Sequence, residues 1–582
     1  MKVKKRNQET QAVEDCSLQE VLAFLQETQE IECDTETWGF DAHQVDILCI
    51  QFGNQNNQYC IEWKDSLIEI LKPYFSNATK TFLFQNAKFD LQFLYKKGII
   101  VSNIYDTLLV ETILTIGLQF GGRGLADLVN KYAKASMSKE IRDTIVRVGL
   151  TDAVIDYALD DVKYLSIIKE QQMEQVAKYD LYNAVNLDNN FVKVLAYTEF
   201  CGIGFSSEKW LAKCSREEKE WQKKLDELNE LVIKTGIKKY QQYGNLFDPP
   251  DTLVCTLNWG SPLQVAQLFK DLGIDIEVEE DGEFKESVGK QILQKYKDNI
   301  LVNTFSDYIK LNKRLTSFGR DYLKYINPAT HRIHTSYKQI LNTGRMSSGN
   351  QKFGHPNLQQ VPSDSEHRDC FVASPGNKMI CTDFTGQEAV IFANKCLDPG
   401  LLAFYDNDLG DQHSYVAKLC FPDELEGVEL ADVKKQRPDL RQKSKAAGFA
   451  IQFGGNGYTI SNNLGISPEE GNEVYKAYSE AFPGMFDYFK RVSSESEEVG
   501  YITFNSVTKR KFFYDFITEY KGLKKKINRD FWSLYKPEKE DDTPLYNNYY
   551  RPLVKKFFKQ KGTIERSSYN FPKYMGVTLV TV

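Results

Sequence analysis

The stretch 379–388 constrains this chain more than any other part of its sequence. A turn signal at 375–377 precedes an apolar run, and a helical pattern follows at 389–393. The run predicts a buried strand that ends on Asp383, and a carboxylate there is costly unless it is paired or binds a metal. Asp383 is therefore expected either to cap the following helix or to bind a metal, and this stretch alone favours neither.

Length and composition limit the class of protein. A chain of 582 residues is too long for one hydrophobic core, so we expect two or three domains. The net charge of −7 gives no global basic surface, so nucleic acid would have to meet local basic patches. Cysteines without a Cys-x-x-Cys pair, no secretory signal and no membrane-spanning apolar run predict a cytoplasmic protein with no membrane partner.

Acidic residues stand at strand ends in the first part of the chain. Asp34 and Glu36 are two residues apart in a predicted strand (31–39), so both leave the same face. A cation or solvent must separate their charges, and for an Asp-x-Glu strand taken alone a solvated face is the usual case. Asp90 follows a second predicted strand at 81–84.

A helical segment further on places Tyr157 and Asp161 on one face. Several carboxylates beside a phenol suit a two-metal phosphodiester site, in which the phenol orients the attacking water. The motifs Asp34-x-Glu36, Asn86-x-x-x-Asp90 and Tyr157-x-x-x-Asp161 resemble, in order and character, those of DEDDy-type 3′–5′ exonucleases. The resemblance implies an RNase H-like α/β domain over about 15–185, Tyr157 as the water-orienting residue and four metal carboxylates, Asp34, Glu36, Asp90 and Asp161.

The middle of the chain predicts two long helices, over 205–240 and 303–325, which would form a projecting antiparallel pair. Between them, 257–264 is similar to the Asn-x-x-Ser-Pro-x-Gln stretch in the thumb of family A DNA polymerases. The block 331–362 resembles the entry to the palm in the same family. That resemblance implies that Arg345 contacts the minor groove of primer–template DNA; an ordinary salt-bridged arginine is the alternative.

Arg441, Lys445 and Phe449 recur every four residues, so one helix face carries two cations and then a ring. The cations can meet the charge of a triphosphate, and the ring can stack on a base. The segment resembles the fingers helix of family A polymerases, Arg-x-x-x-Lys-x-x-x-Phe-x-x-x-Tyr-Gly, with Phe453 in place of the Tyr. The resemblance implies a catalytic role for Lys445, nucleotide binding by the other members of this helix, and a triphosphate contact from His413.

In the same family, Asp383 and Glu388 align with the palm motif Asp-Tyr-Ser-Gln-Ile-Glu. This implies that Asp383 is a catalytic, metal-binding carboxylate and that Glu388 crowds the sugar 2′ position. Arg566 and Asn570 match the Arg-x-x-x-Asn-x-Pro segment that contacts the template–primer. The lysines of the inserted stretch around 555–561 either touch phosphate or form a solvated face, and the second is favoured.

One motif of the family is missing. Family A polymerases close with a hairpin carrying His-Asp-Glu, whose Asp completes the metal pair, and no histidine in this sequence precedes an aspartate. We therefore expect a polymerase that stops before this motif. A truncated reading frame, an interrupted gene and a second polypeptide that supplies the segment are the alternatives, and whether this chain polymerises alone stays open.

The sequence thus predicts a DNA-directed DNA polymerase with a proofreading 3′–5′ exonuclease, serving DNA replication in a phage or phage-like replicon. The expected fold class is α/β and α+β multidomain, an RNase H-like domain followed by a right-hand polymerase domain. The expected boundaries are exonuclease 1–185, thumb and connecting helices 186–325, first part of the palm 326–400, fingers 401–490 and second part of the palm 491–582.

The resemblance also implies cofactors and partners. Each active site is expected to hold two Mg²⁺ ions, with Mn²⁺ as the alternative. The expected partners are primer–template DNA, deoxynucleoside triphosphates and either a processivity factor or a second polypeptide that supplies the missing palm segment. Two rival functions remain: an exonuclease whose polymerase half only grips DNA, and a non-catalytic DNA-binding subunit.

Overall fold

The computed structural model describes residues 1–119, 121–138, 141–244, 249, 251–280, 283–384, 386–407, 409–452, 454–527 and 551–569. The chain forms two compact units. The first comprises Met1–Cys201, Thr335–Asn350 and Cys381–Val582, and the second comprises Gly202–His334 and Gln351–Ile380. No helix within the described ranges is long and apolar enough to cross a membrane.

A seven-stranded sheet organises the beginning of the first unit, in the order β2-β1-β5-β4-β3-β6-β7. Strand β3 runs antiparallel to β4 and parallel to β6. The strands predicted at 31–39 and 81–84 are confirmed as β3 and β6. The bounds are β1 Val3–Arg6, β2 Val13–Asp15, β3 Glu30–Thr37, β4 Ile47–Gly53, β5 Gln58–Glu62, β6 Thr81–Phe84 and β7 Ile104–Asp106.

Helices α1 to α9 accompany this sheet. Every residue of β4 is buried, as expected for a strand covered on both faces. Phe75 of α2 and Phe82 of β6 stack in the core with ring centroids 4.4 Å apart. The bounds are α1 Leu18–Glu27, α2 Ile68–Phe75, α3 Ala87–Lys96, α4 Thr107–Leu114, α5 Leu125–Leu128, α6 Ile145–Val148, α7 Asp152–Asp161, α8 Leu165–Tyr179 and α9 Tyr182–Cys201.

The second unit is built around two long helices, α10 and α13, which confirm the helices predicted at 205–240 and 303–325. Trp221 of α10 stacks on Tyr308 of α13 with centroids 5.7 Å apart. The bounds are β8 Ile203–Phe205, α10 Ser207–Lys234, β9 Gln241–Tyr243, β10 Leu253–Cys255, α11 Pro262–Asp271, β11 Glu277–Glu280, β12 Glu283–Glu286, α12 Lys290–Lys295, α13 Ile300–Phe318, β13 Arg332–Ile333, α14 Ser365–Arg368 and β16 Phe371–Val372.

The remainder of the first unit is mainly helical, and α15 and α19 confirm the helices predicted at 389–393 and 441–454. The bounds are β14 Tyr337–Lys338, β15 Ser347–Ser348, α15 Gln387–Cys396, α16 Pro399–Asp406, α17 Gln412–Cys420, α18 Val433–Gln436, α19 Pro438–Gln452, α20 Gly457–Leu464, α21 Pro468–Ala481, α22 Pro483–Val499, β17 Tyr501–Thr503, β18 Lys511–Phe513, α23 Ile517–Lys526 and α24 Arg551–Tyr569.

The prediction of a buried strand that ends on Asp383 is wrong. Residues 377–384 have no regular secondary structure and are exposed, with Ile380 at 85% and Phe384 at 66% of full exposure. A strand needs a neighbour to satisfy its backbone N–H and C=O groups, and none of the described strands pairs with this stretch. A local apolar pattern cannot supply that neighbour.

Candidate metal centre and cationic helix face

Three carboxylates converge where β3 meets the end of α7. Asp34 and Glu36 lie on one face of β3, and Asp161 is the last residue of α7. One carboxylate oxygen from each of the three lies within 4.8 Å of the others. Such a set of oxygen donors fits a hard divalent cation.

A fourth carboxylate, Asp90 in the first turn of α3, is buried and fixed to β3. Its Oδ1 accepts hydrogen bonds from the backbone N–H of Thr35 at 3.0 Å and from Thr35 Oγ1 at 2.6 Å. Thr35 stands between the two acidic residues of β3, so a single strand positions three of the four carboxylates.

Burial raises the pKa of all four carboxyl groups, and their mutual repulsion raises several further. The pKa of Asp34 lies well above its ordinary value, chiefly through burial and then through the charge of Asp90. Burial raises the pKa of Glu36 to about 8 and those of Asp90 and Asp161 to about 7. A divalent cation bound among the four groups would therefore favour their ionised forms.

Helix α7 also presents Tyr157 one helical turn before Asp161, and the nearby phenol lowers the pKa of Asp161, partly offsetting the rise caused by burial. Burial raises the pKa of Tyr157, so the phenol keeps its proton at neutral pH. On its other side α7 is held to β1 by Arg6, which donates to Asp156 at 2.7 Å and to Asp160 at 3.0 Å. The phenol thus has a fixed place beside the cluster.

Asp106, the last residue of β7, is a supporting residue that the predicted motifs did not include. It is buried, and its carboxylate joins the starts of α3 and α4. It accepts backbone N–H bonds at 2.9 to 3.3 Å from Asn86, Ala87, Leu108 and Leu109. Its signal was present in the sequence, because Asp106 ends a short apolar strand, and an aspartate shortly after another apolar strand had already pointed to Asp90.

Arg142 is a second residue outside the predicted motifs. It lies in the short 3₁₀ turn before α6. Its positive charge acts on Asp34, Glu36 and Asp161, and it partly offsets the rise in their pKa values caused by burial. No motif pointed to it, because it lies far from β3 along the chain.

One face of α19, which carries Arg441, Lys445 and Phe449 and is called here the cationic face, combines an ion-paired arginine with a lysine that has no partner among the described residues. Arg441 donates through Nε and Nη2 to both oxygens of Asp411 at 2.7 and 2.9 Å, and this hydrogen-bonded pair lowers the pKa of Asp411. Asp411 also caps α17 by accepting the backbone N–H of Ser414. The predicted motifs did not include Asp411, although Asp at a helix start is a recognisable signal.

His413, Lys445 and Phe449 surround this pair. The rings of His413 and Phe449 lie 6.1 Å apart. Burial lowers the pKa of His413, and the charges of Arg441 and Lys445 lower it further, so the ring is neutral at pH 7. Lys445 makes no hydrogen bond or ion pair with any residue in the described ranges, and Phe449 is 53% exposed.

A cavity of about 400 Å³ opens where α19 ends and α20 begins; it is lined by Phe449, Ala450, Gly454, Gly455, Thr459 and Asn463. Two predicted site residues, Phe453 and Asn570, lie outside the described residues. Arg566 lies in α24.

The predicted palm residues have different surroundings. Asp383 is exposed and forms no hydrogen bond or ion pair with the described residues, and no group of three potential metal ligands found among them includes it. Glu388, in the first turn of α15, forms a hydrogen-bonded ion pair with Arg345. The two side chains predicted to contact the sugar and the minor groove therefore contact each other here.

Comparison with known families explains why these two sites occur in one chain. The model of the 3′–5′ exonuclease family matches residues 11–177, and that of DNA polymerase family A matches residues 236–530, just over half of the sequence. This chain belongs to the family A DNA polymerases. The predicted family is thereby confirmed.

Relatives of this family A polymerase include DNA polymerase I of several bacteria. The chain is 25% identical over 520 residues to that of Pseudomonas aeruginosa, covering 83% of this chain and 52% of the relative. It is 27% identical to that of Chloroflexus aurantiacus (75% and 44% covered) and 26% identical to that of Aquifex aeolicus (85% and 82% covered). The chain spans about half the length of the first two relatives.

A solved structure, the POL domain of Pol1 from M. smegmatis in complex with DNA primer–template and dNTP, shares the fold of the family A polymerase described here. Its TM-score is 0.72 at 18% identity, with 98% of this chain and 87% of that chain covered. Together with the two family matches, this likeness confirms the predicted fold class, an exonuclease domain and a polymerase domain of mixed helix and sheet content.

Proposed function

We propose that this chain is a DNA-directed DNA polymerase with a proofreading 3′–5′ exonuclease, acting on primer–template DNA and deoxynucleoside triphosphates with Mg²⁺. The observation that carries the proposal is that one family A chain holds both the carboxylate cluster and the cationic face of α19. The first suits hydrolysis of a phosphodiester, and the second suits binding of a triphosphate.

In the exonuclease, the four carboxylates Asp34, Glu36, Asp90 and Asp161 would hold the metal ions. Bound Mg²⁺ would neutralise the scissile phosphate and acidify the attacking water. Tyr157, which lies one turn from Asp161 on α7 and packs against a small apolar cluster, would orient that water. Hydrolysis would form a P–O bond from water, which gives up one proton to solvent, and would break the P–O3′ bond, whose leaving 3′ oxygen takes up one proton from solvent.

In the polymerase, Arg441, Lys445 and His413 would contact the triphosphate, and Phe449 would stack on the nascent base pair. Asp411 takes two of the five N–H donors of Arg441, so about three remain for phosphate oxygens. The ion pair therefore orients the guanidinium without exhausting it.

The palm residues complete the proposed polymerase site. Asp383 would bind a metal ion there, and Arg566 and Asn570 would contact the template–primer. Arg345 and Glu388 would have to leave their mutual ion pair before one reached the minor groove and the other the sugar.

The test uses primer extension and single-strand digestion by the 582-residue chain. We expect both activities in the wild type, loss of extension alone in Asp383→Ala, and loss of digestion alone in Asp34→Ala. Unchanged extension in Asp383→Ala would contradict the polymerase assignment, and unchanged digestion in Asp34→Ala would contradict the exonuclease assignment.

A second candidate function is a 3′–5′ exonuclease whose polymerase half only grips DNA. The exposure of Asp383 favours it, because a lone carboxylate is a poor ligand set for Mg²⁺. This candidate predicts Mg²⁺-dependent digestion without extension. A non-catalytic DNA-binding subunit would show neither activity.

A further inference from the structure

Arg142 is held beside the carboxylate cluster by the residues on either side of it. Ile145 is buried in a small apolar cluster with Leu48 and Val154, and Ile141 packs against the same cluster together with Tyr157. These neighbours belong to β4 and α7, the elements that flank the acidic residues. The backbone of Arg142 therefore lies against the elements that line the site.

The guanidinium of Arg142 acts on four groups of the site but pairs with none of them. Its positive charge lowers the pKa values of Asp34, Glu36 and Asp161 and of the phenol of Tyr157, against the larger rise caused by burial. Arg142 is exposed, and it makes no hydrogen bond or ion pair within the described part of the chain. Because no described residue takes its N–H donors, the guanidinium of Arg142 can donate to a bound group.

Charge balance indicates what that group is. Four ionised carboxylates carry four negative charges, and two divalent cations would balance them. The phosphodiester of a bound strand then adds a negative charge, which grows on its oxygens as water attacks. A planar guanidinium with free N–H donors matches phosphate oxygens well.

Resting on the proposed exonuclease function, we propose that Arg142 binds the scissile phosphate of single-stranded DNA and stabilises the charge that develops on it during hydrolysis. Arg142 thus acts on the substrate and not on the metal ligands. In the competing role, Arg142 would balance the charge of the carboxylates themselves and support them as ligands. The two roles predict opposite effects of an Arg142 substitution on metal binding.

The first test measures Mg²⁺-dependent digestion of a single-stranded oligonucleotide by the full chain. We expect Arg142→Gln to lower kcat by about 10- to 100-fold, as for loss of an electrostatic stabiliser, with KM changed less than about threefold. Arg142→Lys should recover part of kcat, since it restores the charge but not the paired donors. The matched control is Arg147→Gln, which removes an exposed arginine from the same segment and should leave kcat unchanged.

The second test needs no activity. Mn²⁺ binding to the DNA-free chain, followed by electron paramagnetic resonance, should be as tight or tighter in Arg142→Gln, because a nearby positive charge has been removed. Weaker Mn²⁺ binding would assign Arg142 to the support of the ligands and overturn the inference.

Two kinetic outcomes also overturn it: a kcat for Arg142→Gln within about twofold of the wild type, or an equal loss in Arg147→Gln. Absence of digestion by the wild-type chain is a different result. It overturns the exonuclease function itself, and this inference with it.

Discussion

The two acidic regions of this family A chain are built in different ways. Asp34 and Glu36 lie in the middle of a seven-stranded sheet, with Asp90 and Asp161 brought to them by helices that the same sheet anchors. Asp383 lies in an exposed stretch without secondary structure. The comparison shows that in this structure acidic side chains converge where paired strands hold the backbone, and that Asp383 lacks such support.

Substitution of Asp106 is expected to give the largest difference between the two regions. In Asp106→Ala four backbone N–H groups lose their acceptor, so we expect the exonuclease region to lose about 3–5 kcal/mol of unfolding free energy, measured by urea denaturation. Asp106→Asn should lose less, because an amide oxygen still accepts. Asp383→Ala should change stability by less than about 0.5 kcal/mol. Equal losses in the two alanine variants would remove the distinction between the regions.

The pH dependence of metal-free stability gives the next largest effect. The raised pKa values, about 8 for Glu36 and about 7 for Asp90 and Asp161, mean that these three groups hold more protons in the folded chain than in the unfolded chain between about pH 4 and 8. Their contribution to stability therefore falls as pH rises through this window, by about 1.4 kcal/mol per pH unit for each excess proton.

Thermal unfolding in a chelator between pH 5 and 8 measures this slope. Saturating Mg²⁺ should flatten it, because the bound cation favours ionised ligands. The double variant Asp34→Asn/Glu36→Gln should flatten it as well, whereas Asp383→Asn should keep the wild-type slope. A chelated wild-type chain that gains stability with pH would contradict the burial of the cluster.

Thr35→Val probes the support of a single ligand. It removes the Oγ1 hydrogen bond to Asp90, so the pKa of Asp90 should rise further and the half-saturating Mg²⁺ concentration for digestion should increase about tenfold. Thr37→Val on the same strand is the matched control, because its hydroxyl donates to the backbone oxygen of Gly39 instead. A shift of equal size in both variants would indicate a general effect on β3.

The smallest effect is expected at the cationic face of α19. Asp411→Ala frees Arg441 from its two hydrogen bonds, so the KM for deoxynucleoside triphosphates in primer extension should rise about fivefold while digestion stays unchanged. Ser467→Ala removes a helix cap of the same kind from α21 without touching Arg441, and it should leave KM unchanged. An unchanged KM in Asp411→Ala would show that the ion pair does not orient Arg441.

Much of the fold could be predicted from the sequence. Strand β3 and helix α19 carry their own periodic patterns, and each pattern survives in the structure because local spacing decides which face a side chain occupies. The stretch before Asp383 has an equally clear apolar pattern, but the strand predicted from it does not form. A strand depends on a partner from elsewhere in the chain, which no local pattern contains.

The candidate site shows the same division. Asp34, Glu36 and Asp161 could be named from their motifs, and the structure places their oxygens together. Thr35 and Asp411 act through hydrogen bonds with residues of other segments, and Arg142 acts through its charge on residues that are distant along the chain. Only the three-dimensional arrangement shows these interactions. Residues that bear chemistry are thus easier to read from a sequence than residues that position them.

The exposed stretch before Asp383 has a consequence for hydrogen exchange. The backbone N–H groups of 378–384 donate no hydrogen bond within the described part of the chain, so their amide hydrogens should exchange with solvent almost as fast as in a free peptide. Those of β3 can exchange only when the central sheet opens. Mass spectrometry of deuterium uptake should therefore show that the amides of 378–384 and those of β3, two segments that carry carboxylates, exchange on widely separated timescales.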